Sequence, residues 1–127
     1  MNENDSPPPP APLALRGVNV SEALARFAGS EPRLRHWLQD FCHYGPDTAC
    51  QIRSAIDAGA HEQAIRLAHA CKGRCGMLGM AELHSIAQSL EMTLKNGEPT
   101  DLWLDELERT VLEMSQQIAG VLGETHA

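Results

Sequence analysis

Aromatic side chains are scarce in this chain. Phe27, Trp37, Phe41, Tyr44 and Trp103 make up the 4% it carries, so a core must rest on Leu, Ile, Val, Met and Ala. Cations are also few: 10 Lys and Arg against 17 Asp and Glu give a net charge of −7 and a pI near 5.2. That deficit opposes non-specific binding to nucleic acid or anionic lipid, both of which need a surplus of Lys and Arg. A local basic patch stays possible. No apolar run reaches the roughly 18 residues of a membrane span, and the acidic start (Glu3, Asp5) is unlike a signal peptide. The expectation is a soluble, cytoplasmic protein with no membrane insertion and no nucleic-acid partner. Closely spaced cysteine pairs are missing too. Cys42, Cys50, Cys71 and Cys75 contain no Cys-x-x-Cys, so neither a zinc site nor any other metal is expected, and a reducing compartment opposes disulfides.

What is present suffices for one domain: 127 residues support a single modest core. Residues 1–17 stand apart, because MNENDSPPPPAPLALRG holds five of the eight prolines. A proline run neither continues a helix nor pairs centrally in a sheet, so this segment reads as a tail or linker, with residues 18–127 as the domain. From Val18 onward helical spacing repeats and no alternating strand appears. Val20, Ala23, Leu24 and Phe27 mark a short first helix with Ser21 as its candidate cap. Ser30-Glu31-Pro32 opens a second, with Leu34, Trp37, Leu38 and Phe41 on one face. Gly45-Pro46 is expected to break or kink it. A third stretch then runs from about Asp47 to Ala58, with Ala49, Ile52 and Ile56 inward and Gly59 as its stop.

The next helix spans about His61 to Leu78 and closes at Gly79. Leu83, Ile86, Ala87, Leu90 and Leu94 form the apolar stripe of another. After Asn96-Gly97-Glu98-Pro99, Thr100 or Asp101 caps a last helix whose seam is Leu104, Leu107, Val111, Met114, Ile118 and Val121. Short connections favour antiparallel neighbours. The fold class expected is all-α: an antiparallel four-helix bundle with one or two additional short N-terminal helices, able to fold as a monomer.

One helix breaks its own rules. Across residues 64–79, Ala64, Leu67, Ala68, Cys71, Cys75 and Leu78 fall on one side of a helical wheel and make the buried face. His69 falls opposite, flanked by Ile65, Arg66, Lys72, Gly73 and Gly76. Each of the two glycines costs about 1 kcal/mol against Ala within a helix, and neither serves the core. Their use is clearance for another surface to approach the imidazole. Lys72 adds a positive charge one turn along. An imidazole titrates near pH 6.5 when unperturbed, so an exposed ring is largely neutral at neutral pH and carries a nucleophilic lone pair. A nucleophile, a cation and a bare approach surface suit phosphoryl transfer, which depends on positioning and charge neutralisation. The phosphate-binding loops of nucleotide enzymes are absent, so a partner must supply the rest of the chemistry and the chain is not itself an enzyme.

Ala68-His69-Ala70-Cys71-Lys72-Gly73, followed by Leu78-Gly79, Leu83 and Leu90-Glu91, resembles the signature of histidine-containing phosphotransfer (HPt) domains of bacterial phosphorelays. The similarity extends to Ala-Leu-Ala-Arg-Phe at 23–27 and spans Val18 to Leu122. It implies a helical bundle whose histidine takes a phosphoryl group from a receiver-domain aspartate and passes it to another. By position His69 is the phosphoacceptor, Lys72 stabilises the phosphate and Gly73 leaves room for it. Ile65, Arg66 and Gly76 are candidate docking residues. The implied partners are response-regulator receiver domains and a hybrid sensor histidine kinase. No cofactor is implied for this chain, since Mg²⁺ belongs to the receiver. Cys71 in place of Leu, Arg74 in place of a small residue and the second glycine, Gly76, depart from the pattern, and Arg74 bears on partner preference.

Two other classes stand beside this one. The first is a non-phosphorylated adaptor of HPt-like shape that binds kinases or receivers. The second is a metal- or thiol-dependent bundle using Cys71, Cys75 and nearby histidines, which the wheel opposes because His69 points away from both cysteines. His36, His43, His61, His84 and His126 show no ligand or base at useful spacing. The methionines read as core or helix-end packing, with Met77 and Met80, near the end of the site helix, as candidates for partner contact; Glu91 and the other acids read as solvated.

Overall fold

The computed structural model describes residues 13–123, and these form five helices with no strand among them. The elements are α1 (Val20–Arg26), α2 (Glu31–Asp57), α3 (His61–Met77), α4 (Ala81–Lys95) and α5 (Asp101–Leu122). Helices α2 to α5 make the four-helix bundle, with neighbours α2–α3, α3–α4, α4–α5 and α5–α2 around the ring, while α1 packs on α2. Among the described residues no helix is long and apolar enough to cross a membrane.

The apolar stripes expected from spacing meet in the centre. Leu34, Leu38, Phe41, Ile52, Leu83, Leu90, Leu104, Leu107 and Ile118 are essentially buried. Each such side chain contributes about 1.5–3 kcal/mol on leaving water. Ser30 caps α2 as expected, its Oγ accepting from Arg33 N–H at 3.2 Å. At α1 the cap is Asn19 rather than Ser21: Asn19 Oδ1 accepts from Glu22 N–H at 3.0 Å, and Ser21 lies inside the helix.

Gly45-Pro46 does not divide α2, which runs unbroken for 27 residues with Pro46 inside it and exposed. An interior proline costs a helix about 3 kcal/mol. That is outweighed here by the apolar residues buried on both sides of it, Leu34, Leu38 and Phe41 before and Ala49, Ile52 and Ala55 after. Gly45 serves packing rather than breaking: a Cβ there would lie 2.9 Å from both Phe41 Cζ and Val111 Cγ1, so its absence lets α5 approach α2 closely. Ile56, expected inward, is half-buried, and Ala55 takes the inner place. At the far end of α5 Val121 is 46% exposed, contrary to the seam. The 3.6-residue helix drifts off a strict 3-4 pattern, and Leu122 packs on the core instead.

Chain before Val18 also packs on the bundle. Leu13 and Leu15 are buried in the core cluster. Gln117 on α5 clamps the strand of chain between them and α1: Arg16 N–H donates to its Oε1 at 2.6 Å, and its Nε2 donates to Arg16 O at 3.0 Å. The proline-rich part of the expected tail, 1–12, lies outside the described residues. The N-terminal segment is joined to the α3–α4 turn as well, where Asn19 N–H donates to Gly79 O at 2.8 Å. A Cβ at Gly79 would meet Asn19 O at 2.6 Å, and its φ of +72° suits glycine, so this residue both ends α3 and admits the crossing chain.

Candidate functional site

His69 sits near the middle of α3 with 66% of its side chain exposed, as its place on the wheel requires. Beneath it lies Glu91 of α4. Glu91 was expected to be solvated and is instead buried, with 4% of its side chain exposed. The physical reason lies in its spacing: four residues after Ala87 and three before Leu94, it belongs to the stripe that faces inward. That position in an apolar stripe is the sequence signal for its burial.

Three groups converge on the carboxylate. His69 Nδ1 lies 3.0 Å from Oε2, Lys95 Nζ 3.1 Å from the same oxygen, and Lys72 Nζ 2.9 Å from Oε1. Lys72 meets Oε1 as an ion pair rather than a well-aimed hydrogen bond, since that oxygen has no donor in line. Burial by itself pushes the Glu91 carboxyl up, but Lys72, Lys95 and His69 outweigh it and bring the pKa down to about 2. At neutral pH the carboxylate is therefore ionised and can only accept. The proton it accepts is on His69 Nδ1, which in the neutral ring leaves the lone pair on Nε2. Lys72, with 25% of its side chain exposed, and Lys95, with 56%, flank that ring with positive charge.

The two glycines have different surroundings. Apart from its own chain neighbours and the backbone of α3, nothing lies within 4 Å of where a Gly73 Cβ would be, so the surface one turn beyond His69 is open. Gly76 is not open, contrary to its expected place in an approach surface. A Cβ there would stand 3.0 Å from His84 Nδ1. The His84 ring fills the site and donates from Nδ1 to Lys72 O at 3.0 Å, while Arg26 donates to Gly76 O at 2.9 Å. Gly76 thus admits a side chain of this molecule, and His84, set aside in the sequence, braces the backbone at Lys72.

Arg66 is exposed one turn before His69, and Ile65 is half-buried against the core. Arg74 turns away from the site toward α2, its guanidinium 3.9 Å from the Tyr44 ring centroid and 5.2 Å from that of Trp37. It also pairs with Asp40 at 3.0 Å, so it fastens α3 to α2. Cys71 and Cys75 are buried core residues, as their spacing indicated, and Met80 is buried while Met77 is 38% exposed. Among the described residues no group of three or more His, Cys, Asp or Glu is placed to hold a metal ion.

On the surface of the bundle an exposed imidazole is thus oriented by a buried carboxylate that two ammonium groups also hold. The Hpt domain family model matches residues 36–121, which takes in most of α2 and all of α3 and α4, and the chain belongs to this family. No curated protein and no solved structure matches it. As an Hpt domain it has a histidine phosphotransfer role in phosphorelay; such domains are phosphotransfer modules rather than kinases, and they interact with receiver domains and kinases.

Proposed function

We propose that this chain is a phosphorelay intermediate that accepts a phosphoryl group on His69 from a receiver-domain aspartate and passes it to the aspartate of another receiver. The observation that carries this reading is the His69–Glu91 contact of 3.0 Å beneath a ring left 66% exposed. It fixes which nitrogen bears the proton and turns the nucleophilic edge outward. In the transfer, the Nε2 lone pair forms the N–P bond as the P–O bond of the aspartyl phosphate breaks, and that electron pair leaves with the aspartate oxygen. The Nδ1 proton stays in place, so the ring becomes cationic and the Glu91 carboxylate faces that charge. Lys72 neutralises the phosphoryl oxygens, and bare Gly73 lets the receiver's rim approach. Mg²⁺ and the aspartyl phosphate belong to the receiver, so no cofactor is needed on this chain. Arg66 and Ile65 are the docking residues nearest to the ring in sequence.

The test is transfer from a phosphorylated receiver domain with Mg²⁺, on the wild type and on His69→Gln. Label that appears on the wild type, is acid-labile and is absent from the variant is the expected result. Folded, helical wild type that takes no label from several receivers would leave the chain an adaptor of Hpt shape.

A further inference from the structure

Lys95 stands outside the signature that singled out His69, Lys72 and Gly73, yet it shares an atom with the nucleophile. Its Nζ lies 3.1 Å from Glu91 Oε2, the same oxygen that accepts His69 Nδ1–H at 3.0 Å. Lys72 holds the other oxygen at 2.9 Å. One buried carboxylate therefore has two ammonium partners, one on the site helix and one at the end of α4.

The charges decide why two are needed. With Glu91 ionised, Lys72 and Lys95 as its ammonium partners and the imidazole in the neutral form that a nucleophile requires, the site before transfer carries one net positive charge. The unit that moves is metaphosphate-like and brings one negative charge. With Lys95 the phosphorylated site is neutral; without it the site would be negative around a buried carboxylate. Moreover, a Lys72 that turns toward the phosphoryl oxygens must loosen its hold on Oε1. A buried carboxylate deprived of its cation is heavily penalised. Lys95, pairing with Oε2, keeps Glu91 compensated while Lys72 moves. Its own side chain is 56% exposed, and Arg66, the other cation nearby in sequence, forms no ion pair with Glu91 among the described residues.

We propose that Lys95 is a positioning residue for phosphoryl transfer that acts through Glu91, holding the carboxylate neutralised so that Lys72 can follow the phosphoryl group. This rests on His69 as the phosphoacceptor. Lys95 takes part in none of the bond changes.

The experiment is single-turnover transfer from a phosphorylated receiver to the wild type, Lys95→Met, Lys95→Arg, Glu91→Gln and the Glu91→Gln/Lys95→Met double variant. Helical content and melting are recorded for each. Lys95→Met lowers the rate at saturating receiver about tenfold, the range of a coupled contact. The receiver concentration at half-saturation changes little, and Lys95→Arg recovers most of the rate. In the Glu91→Gln background, where there is no carboxylate to compensate, Lys95→Met has little further effect. The proposal is overturned by an unchanged rate in Lys95→Met, or by a loss seen only in half-saturation. An equal loss in both backgrounds also overturns it, since Lys95 would then touch the phosphoryl group or partner directly. A wild type that takes no label overturns the phosphoacceptor reading itself, whereas a labelled wild type matched by Lys95→Met sinks the Lys95 inference alone.

Discussion

Gly73 and Gly76 stand three residues apart on α3 and share a residue type, but their neighbours assign them different work. At Gly73 a methyl group would meet nothing within 4 Å beyond its chain neighbours and the backbone of α3, so Gly73→Ala gains helix propensity without a clash. It should raise stability by about 1 kcal/mol while slowing transfer, because in the proposed function the added group lies on the surface that meets the receiver. Melting curves and transfer rates on the same preparation check both signs. A variant that is more stable and transfers as fast would remove clearance as the reason for this glycine. At Gly76 the methyl would press on the His84 ring at 3.0 Å and disturb its bond to Lys72 O, so the same substitution should gain less or lose. Helical spacing placed both glycines beside His69. Only the packed α4 showed that one of them is already filled.

At the scale of the element, α2 shows how tertiary contact overrides a local signal. Gly-Pro is a sound reason to expect a break, yet α2 continues because its two halves bury their apolar faces on the same bundle. Gly45 is the more demanding of the pair. Gly45→Ala would set a methyl 2.9 Å from Phe41 Cζ and Val111 Cγ1, and relief requires moving α5 or a ring in a filled core. The expected cost is about 1–3 kcal/mol, read as a lower denaturation midpoint. A variant at least as stable as wild type would show that the α2–α5 contact has slack. The pair of Arg53 with Glu108 at 2.8 Å and Asp105 at 2.9 Å joins the same two helices at their exposed edge, where salt screens it.

For the whole molecule, the network around Glu91 links site chemistry to acid stability. Its carboxyl has a pKa of about 2 when folded, below its ordinary value of 4.5. The folded state therefore releases this proton more readily than the unfolded chain does. The stabilisation is fully present above about pH 4.5, and it is lost as the pH falls toward 2. Its size is on the order of 3 kcal/mol. Denaturation midpoints of the wild type should fall across that window more steeply than those of Glu91→Gln, which has no proton to bind. Parallel profiles would mean that Glu91 is not held as the three contacts require.

Much of this protein could be read from the chain by itself. Periodic Leu, Ile and Ala located the apolar faces of all five helices, and the position of His69 opposite the Cys71–Cys75 face placed it in solvent. Those are properties of one helix at a time, set by 3.6 residues per turn. What depends on two helices meeting was decided by the tertiary structure: the unbroken α2, the docking of Leu13 and Leu15, the ring of His84 over Gly76, and above all the burial of Glu91 against His69, Lys72 and Lys95. Spacing alone turns Glu91 inward but does not say what faces it. Its charge becomes part of a site only when the α3–α4 turn brings residues 22 positions apart to within 3.0 Å.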